Sequence, residues 1–130
     1  MPLTYSPRPG TIVMCDFTSG FRPPEMVKKR PVVVVSPRRR RSNLVVVVPL
    51  SSTKPAPLEP WHHALRASTY PPARSQMWAK CDVLNSVGLD RLDRIKTRDA
   101  QGNRRYETFT VPAPELAEIL SCVRAGLGFR

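Results

Sequence analysis

Apolar residues along this chain come in short separated runs, and only the C-terminal segment spaces them as a helix would. TIVMCDF, residues 11–17, is rich in β-formers and follows Pro9-Gly10, so it reads as a strand launched from a turn. PVVVVS (31–36) and LVVVVPL (44–50) each hold four consecutive valines. Valine is stiff at χ1 and favours strands, and a run with no polar alternation predicts a strand buried on both faces. Such strands belong at the centre of a closed or two-layer sheet.

Weaker runs fill in the rest. WHHALRA (61–67) and MWAKC (77–81) read as further strands. VGLDRLDRI (87–95) could hold one helical turn through Leu89, Leu92 and Ile95. IKTRDAQGNRRYETFTV (95–111) looks like a hairpin closed around Ala100 to Asn103, where Gly102 is free to take positive φ. The one clear helix is 113–127, introduced by Pro112 and Pro114 with Glu115 and Glu118 in its first turns. Leu116, Ile119, Leu120, Val123 and Leu127 form its apolar stripe, which must cover one face of the sheet. The expected fold class is mainly β (α+β), with 1–130 as one domain behind a proline-rich lead-in at 1–9.

Composition sharpens this. Fifteen prolines in 130 residues favour a turn-rich β fold over a helical one. A net charge of +11, from 21 Lys and Arg against 10 Asp and Glu, attracts polyanions, and nucleic acid is the first suspect. No long apolar span and no basic amphipathic helix points to a membrane. Cys15, Cys81 and Cys122 are an odd set without metal-ligand spacing, so free thiols in a reducing compartment are expected. MPLTYSPRPG lacks the apolar core of a secretory signal, and the expected location is the cytoplasm.

Candidate chemistry is sparse. On an extended strand Lys80 and Asp82 would share one face and Cys81 the other. That is an ordinary ion pair on a sheet or half of an acid–base catalyst. Arg38, Arg39, Arg40 and Arg41 are either a solvated loop or a phosphate-contacting arm, since guanidinium forks pair bidentately with phosphate. His62 and His63 would point to opposite faces of a strand, which argues against one shared metal ion. Ser51, Ser52 and Thr53 end the second valine strand, as turn formers or as substrate contacts. Arg30, just before the first valine run, would be rigidly aimed, as stabilising charge on a crowded phosphate requires.

Taken in order, Gly10-x-Ile12-x-Met14, a glycine-bearing loop, KRPVVVVS, an apolar strand ending PLSS, WAKCD and VGLDRLDRI resemble the MazF/PemK (Kid) family of toxins. These are sequence-selective messenger-RNA interferases of bacterial toxin–antitoxin pairs. The resemblance runs from about Pro9 to the terminal helix. It implies an SH3-like β-barrel with a C-terminal helix, a homodimer, single-stranded RNA (mRNA) as substrate, a cognate antitoxin as partner, and no metal or other cofactor.

By the same resemblance Arg30 matches the arginine that binds and stabilises the scissile phosphate. Ser51 and Ser52 match the Thr/Ser pair that holds substrate. Asp82 matches the general base, and Lys80 falls where relatives carry an arginine as acid, keeping the charge without the fork. Phe21 follows Gly20 where some relatives place an assisting histidine, so only His62 or His63 could inherit that role. The family reaction uses the ribose 2′-OH as nucleophile and leaves a 2′,3′-cyclic phosphate and a 5′-OH. Two other readings stay open: a CcdB-like gyrase poison on the same barrel, and a noncatalytic RNA-binding module for which charge alone suffices.

Overall fold

The computed structural model describes residues 2–129. Ten strands, two single-turn 3-10 segments and one helix follow one another along it. β1 (Thr11–Asp16), β2 (Lys29–Val34) and β3 (Leu44–Ser51) form an antiparallel centre, paired through Val13↔Val32 and Val32↔Pro49. β4 (His62–Ala64) and β5 (Trp78–Lys80) extend the sheet beyond the end of β3, through Leu50↔Ala79 and His63↔Ala79. β6 (Asn85–Gly88) pairs with the start of β3, whereas β7 (Leu92–Asp93) pairs with the end of β1. The segment 85–93 therefore crosses from the third strand back to the first and curls the sheet on itself. β6 and β7 are not paired with each other, so the expected barrel is realised as a strongly curled sheet.

This curl explains why the valine runs show no alternation. Val13, Cys15, Val32, Val34, Val45 and Val47 pack inside the curl with Leu92 and Val87. Their neighbours Ile12, Val33, Val48 and Leu50 face the other way, into a second cluster with Ile119. The core valines are 0–3% exposed, and within the two runs only Val35 and Val46 are half-buried.

The hairpin expected at 95–111 is present as β8 (Ile95–Arg98) and β9 (Arg104–Glu107), with Gly102 at φ +81°. β10 (Phe109–Thr110) then returns to the edge of β1. The helical turn expected within 87–95 is instead strand, a 3-10 turn at Leu89–Arg91, and strand again. Leu92 and Ile95 are buried as strand residues on opposite sides of the sheet, in different clusters.

Helix α1 (Ala113–Gly126) lies where its sequence placed it, with Pro114 in the first turn where no hydrogen-bond donor is missed. Its buried stripe is narrower than expected. Ile119 is fully buried and Leu116 and Val123 pack beside it, but Leu120 and Leu127 are 39% and 55% exposed. Glu115 takes their place as the second buried residue of the helix. Its carboxylate accepts from the Arg66 backbone N–H at 2.9 Å and from the Thr69 hydroxyl, and lies 2.8 Å from Nε2 of His63. Burial pushes this carboxyl up, but those hydrogen bonds together outweigh it and hold it below its ordinary range. A polar clamp thus joins the helix to β4 and the loop after it.

Candidate functional site

Register decides which side chains meet. Cross-strand partners share a face, and so do residues two apart on one strand. Arg30 shares its face with Val32, Val32 pairs with Pro49, and Pro49 shares its face with Ser51. Ser51 pairs with Trp78, Trp78 shares its face with Lys80, and Lys80 pairs with His62. Arg30, Ser51, Trp78, Lys80 and His62 therefore project from one face, opposite to the one that α1 covers. Since β2, β3 and β5 are successive neighbours, Arg30 and Lys80 are two strand spacings apart, roughly 10 Å across the sheet.

Arg30 is half-buried across from Cys15, and its Nε is a buried donor with no hydrogen-bond partner among the described residues. Leaving a buried donor unpaired costs about 1–3 kcal/mol, more on a charged group. Such a donor calls for an acceptor from outside the described residues, a water or an anion. An anion between strands is the simplest fit for a guanidinium.

Lys80 and Asp82 differ from expectation in one respect. β5 ends at Lys80, and Cys81–Val83 is a 3-10 turn, so Asp82 is not on the strand face that carries Lys80. The reason is local packing. Cys81 is sealed in the core, with its Sγ toward the carbonyls of Ala79 and Ile119. Gly126 of α1 comes so close that a Cβ there would lie 3.3 Å from Cys81 O and 3.4 Å from Asp82 Cα. The helix end presses on the turn and presents the Asp82 side chain to solvent. Among the described residues neither the Lys80 nor the Asp82 side chain has a hydrogen bond or ion pair, so a plain structural ion pair does not account for them.

Ser51 is 1% exposed, and its Oγ accepts the Thr53 N–H at 3.2 Å. Ser52 is exposed, in the bend that follows β3. The two histidines separate as alternation requires. His63 joins the Glu115 clamp, while His62 lies across from Lys80 with Nδ1 accepting the Glu59 N–H at 3.0 Å. Its Nε2 is then the protonated nitrogen of the neutral ring. Trp78 and His62 were legible only through the period-two alternation of WAK and HHA.

Arg38, Arg39, Arg40 and Arg41 are not brought to this place. They sit on the loop joining β2 to β3, whereas Arg30 and Ser51 are at the other ends of those strands. Six strand residues at about 3.3 Å each separate them by roughly 20 Å. Arg38 Nε instead donates to Ser6 O at 3.0 Å, and the Arg39 N–H to Ser6 Oγ at 3.1 Å, fixing the loop against the lead-in. All three cysteines are free, and burial pushes the Cys15 thiol up to about 12 and that of Cys81 further. Among the described residues no group of three His, Cys, Asp or Glu side chains converges as metal ligands, and no helix is long and apolar enough to cross a membrane.

Residues 8–125 match the family model described as PemK-like, MazF-like toxin of type II toxin–antitoxin system. The chain belongs to this family. Solved structures of similar fold include an endoribonuclease in complex with its cognate antitoxin from a mycobacterial species, 21% identical over 96% of this chain and 98% of that one, with TM-score 0.67. MazF from Deinococcus radiodurans is 23% identical over 96% and 99% of the two chains, with TM-score 0.67. Mycobacterium tuberculosis toxin MazF-mt6 is 13% identical over 95% and 99%, with TM-score 0.62. No curated protein matches the chain at a significant level. At these identities the solved structures attest the fold, and the family assignment rests on the model match.

Proposed function

We propose that this MazF/PemK-family toxin is a metal-independent endoribonuclease acting on single-stranded RNA, and that a cognate antitoxin restrains it. The observation that carries the reading is the unpartnered, buried Nε of Arg30, on the same face as Ser51, Trp78 and Lys80. Support comes from similar structures described as endoribonucleases, one of them in complex with its antitoxin.

RNA supplies its own nucleophile, so the protein has three tasks. Asp82 takes the proton of the ribose 2′-OH as its oxygen attacks phosphorus. The Arg30 guanidinium stabilises the charge that builds on the phosphate oxygens, with the Ser51 hydroxyl donating beside it. As the P–O5′ bond breaks, Lys80 gives a proton to the leaving 5′-oxygen, which yields a 2′,3′-cyclic phosphate and a 5′-OH. His62, across from Lys80 with Nδ1 already bonded, assists that donation. Trp78 offers a flat surface for a base next to the scissile link. Arg38, Arg39, Arg40 and Arg41 contact phosphates farther along the strand, where they add affinity and not catalysis. The working form is a homodimer.

Purified protein incubated with single-stranded RNA in EDTA tests this. Fragments ending in 2′,3′-cyclic phosphate and 5′-OH support the reading. RNA left intact, or cut only when divalent metal is restored, overturns it.

A further inference from the structure

The β8–β9 hairpin carries a feature that the site above does not use. Its pairs Lys96↔Tyr106 and Arg98↔Arg104 share one face, and all four residues are exposed. Arginine directly opposite arginine is a destabilising pair in a sheet. The other face shows what a stabilised hairpin looks like: there Glu107 accepts from Thr97 at 2.6 Å and from Arg105 at 2.8 Å. Of the acids near the Arg98–Arg104 face, one serves the turn and one pairs with Lys96 of the face itself, which leaves the two arginines without a carboxylate of their own. Asp99 caps the turn by accepting the N–H groups of Gln101 and Asn103, and Asp93 lies 4.0 Å from Lys96.

At the centre of these cations stands Tyr106, 42% exposed, with the Arg94 guanidinium 3.8 Å above its ring. A depression of about 640 Å³ along the side of the hairpin is lined by Lys96, Arg98 and Arg104, by Arg74 and Phe109, and by Glu107 of the other face. Glu107 is its one carboxylate. The hairpin also starts close to the proposed cleavage site. Cys15 pairs with Arg30 on one side and with Leu92 on the other, so the chain leading into β8 lies two strand spacings, roughly 10 Å, from Arg30.

We propose that this hairpin face is a second RNA-binding site, which holds the single strand outside the cleavage cleft by phosphate contacts to Arg98 and Arg104 and base stacking on Tyr106 and Arg94. Excess positive charge fits any polyanion, but an exposed aromatic ring layered with a guanidinium fits nucleobases and gives an acidic peptide nothing to match. A second copy of this chain would set like charge against like. The inference rests on RNA being the substrate, and it adds a binding surface separate from Arg30 and Asp82.

The test uses the full chain and two RNAs: a short oligonucleotide that fills only the cleft beside Arg30, and a long single strand. Binding is measured with 2′-O-methyl versions, which cannot be cut, so the result does not depend on cleavage. Tyr106→Ala should weaken binding of the long RNA roughly five- to a hundredfold, while Tyr106→Phe retains it. R98S combined with R104S should lower the salt slope of long-RNA binding by about 1.4, at roughly 0.7 for each phosphate no longer neutralised. Both variants should cleave the short RNA as wild type does. A photo-crosslink from iodouridine in the long RNA to Tyr106 supports the site directly. Unchanged long-RNA affinity and salt slope in folded variants overturns it, and so does binding of poly-glutamate that depends on Tyr106 more strongly than RNA binding does. If no RNA is ever cut but the hairpin variants still lose affinity, the cleavage reading fails and the hairpin site stands.

Discussion

Replacing Glu115 by alanine tests whether the buried clamp fastens α1 to the sheet. The carboxylate is 1% exposed and is shared by His63, the Arg66 N–H and the Thr69 hydroxyl. Removing it strands three donors, each costing about 1–3 kcal/mol if it stays dry. Arg66 is exposed and His63 is 10% exposed, so water recovers part of that. The expected loss is about 3–5 kcal/mol, the range for breaking a buried charged pair. For a domain of this size that is a drop of roughly 10–20 °C in Tm. Thermal and urea melts followed by circular dichroism would read it. pH gives a second measure. Folding lowers the Glu115 pKa below its ordinary 4.5, so the folded state binds fewer protons there than the unfolded one. This stability is complete above 4.5 and is lost as pH falls through the folded value. Wild type should therefore weaken more steeply than Glu115→Gln on acidification. A Glu115→Ala protein within 1 kcal/mol of wild type at neutral pH, by the scale of ordinary surface changes, would refute the clamp.

Other outcomes follow from the same geometry. Arg30→Lys should lose most cleavage despite keeping its charge, because an ammonium cannot offer the fork that the orphaned Nε belongs to; single-turnover rates would show it. Gly126→Val should cost about 1–3 kcal/mol by overpacking and also slow cleavage, since its side chain would push on the turn that presents Asp82; a melt paired with a rate assay separates the two effects. Thiol reagents should modify the half-buried Cys122 in the native protein and reach Cys15 and Cys81 only on unfolding, as mass spectrometry of labelled peptides would reveal.

How much of this was legible beforehand depended on whether a feature was local. Valine runs, the hairpin around Gly102 and the helix after Pro112 are set by neighbours in sequence, and each formed where its residues predicted. Asp82 is different: the alternation of WAKCD holds only to Cys81, because the end of a helix more than forty positions later bends the chain there. Glu115 looked like a dipole partner at the start of a helix. It became a core residue because Arg66, Thr69 and His63, all distant in sequence, bring it donors. The arginine run and Arg30 look close along the chain, yet an antiparallel pair puts a strand's start and its following loop at opposite ends. The orphaned Nε cannot be seen in a sequence at all.

The central claim is that Arg30 and Asp82 serve one reaction on RNA. It is tested most directly by single-turnover cleavage in EDTA with wild type, Arg30→Ala, Asp82→Ala and the double variant, each first shown to be folded. Each single variant should fall by roughly a hundredfold or more, and the double should lose little beyond that, as groups acting in one step do. Cleavage at wild-type rate in either single variant, or a double variant slowed by the full product of two independent losses, would contradict it.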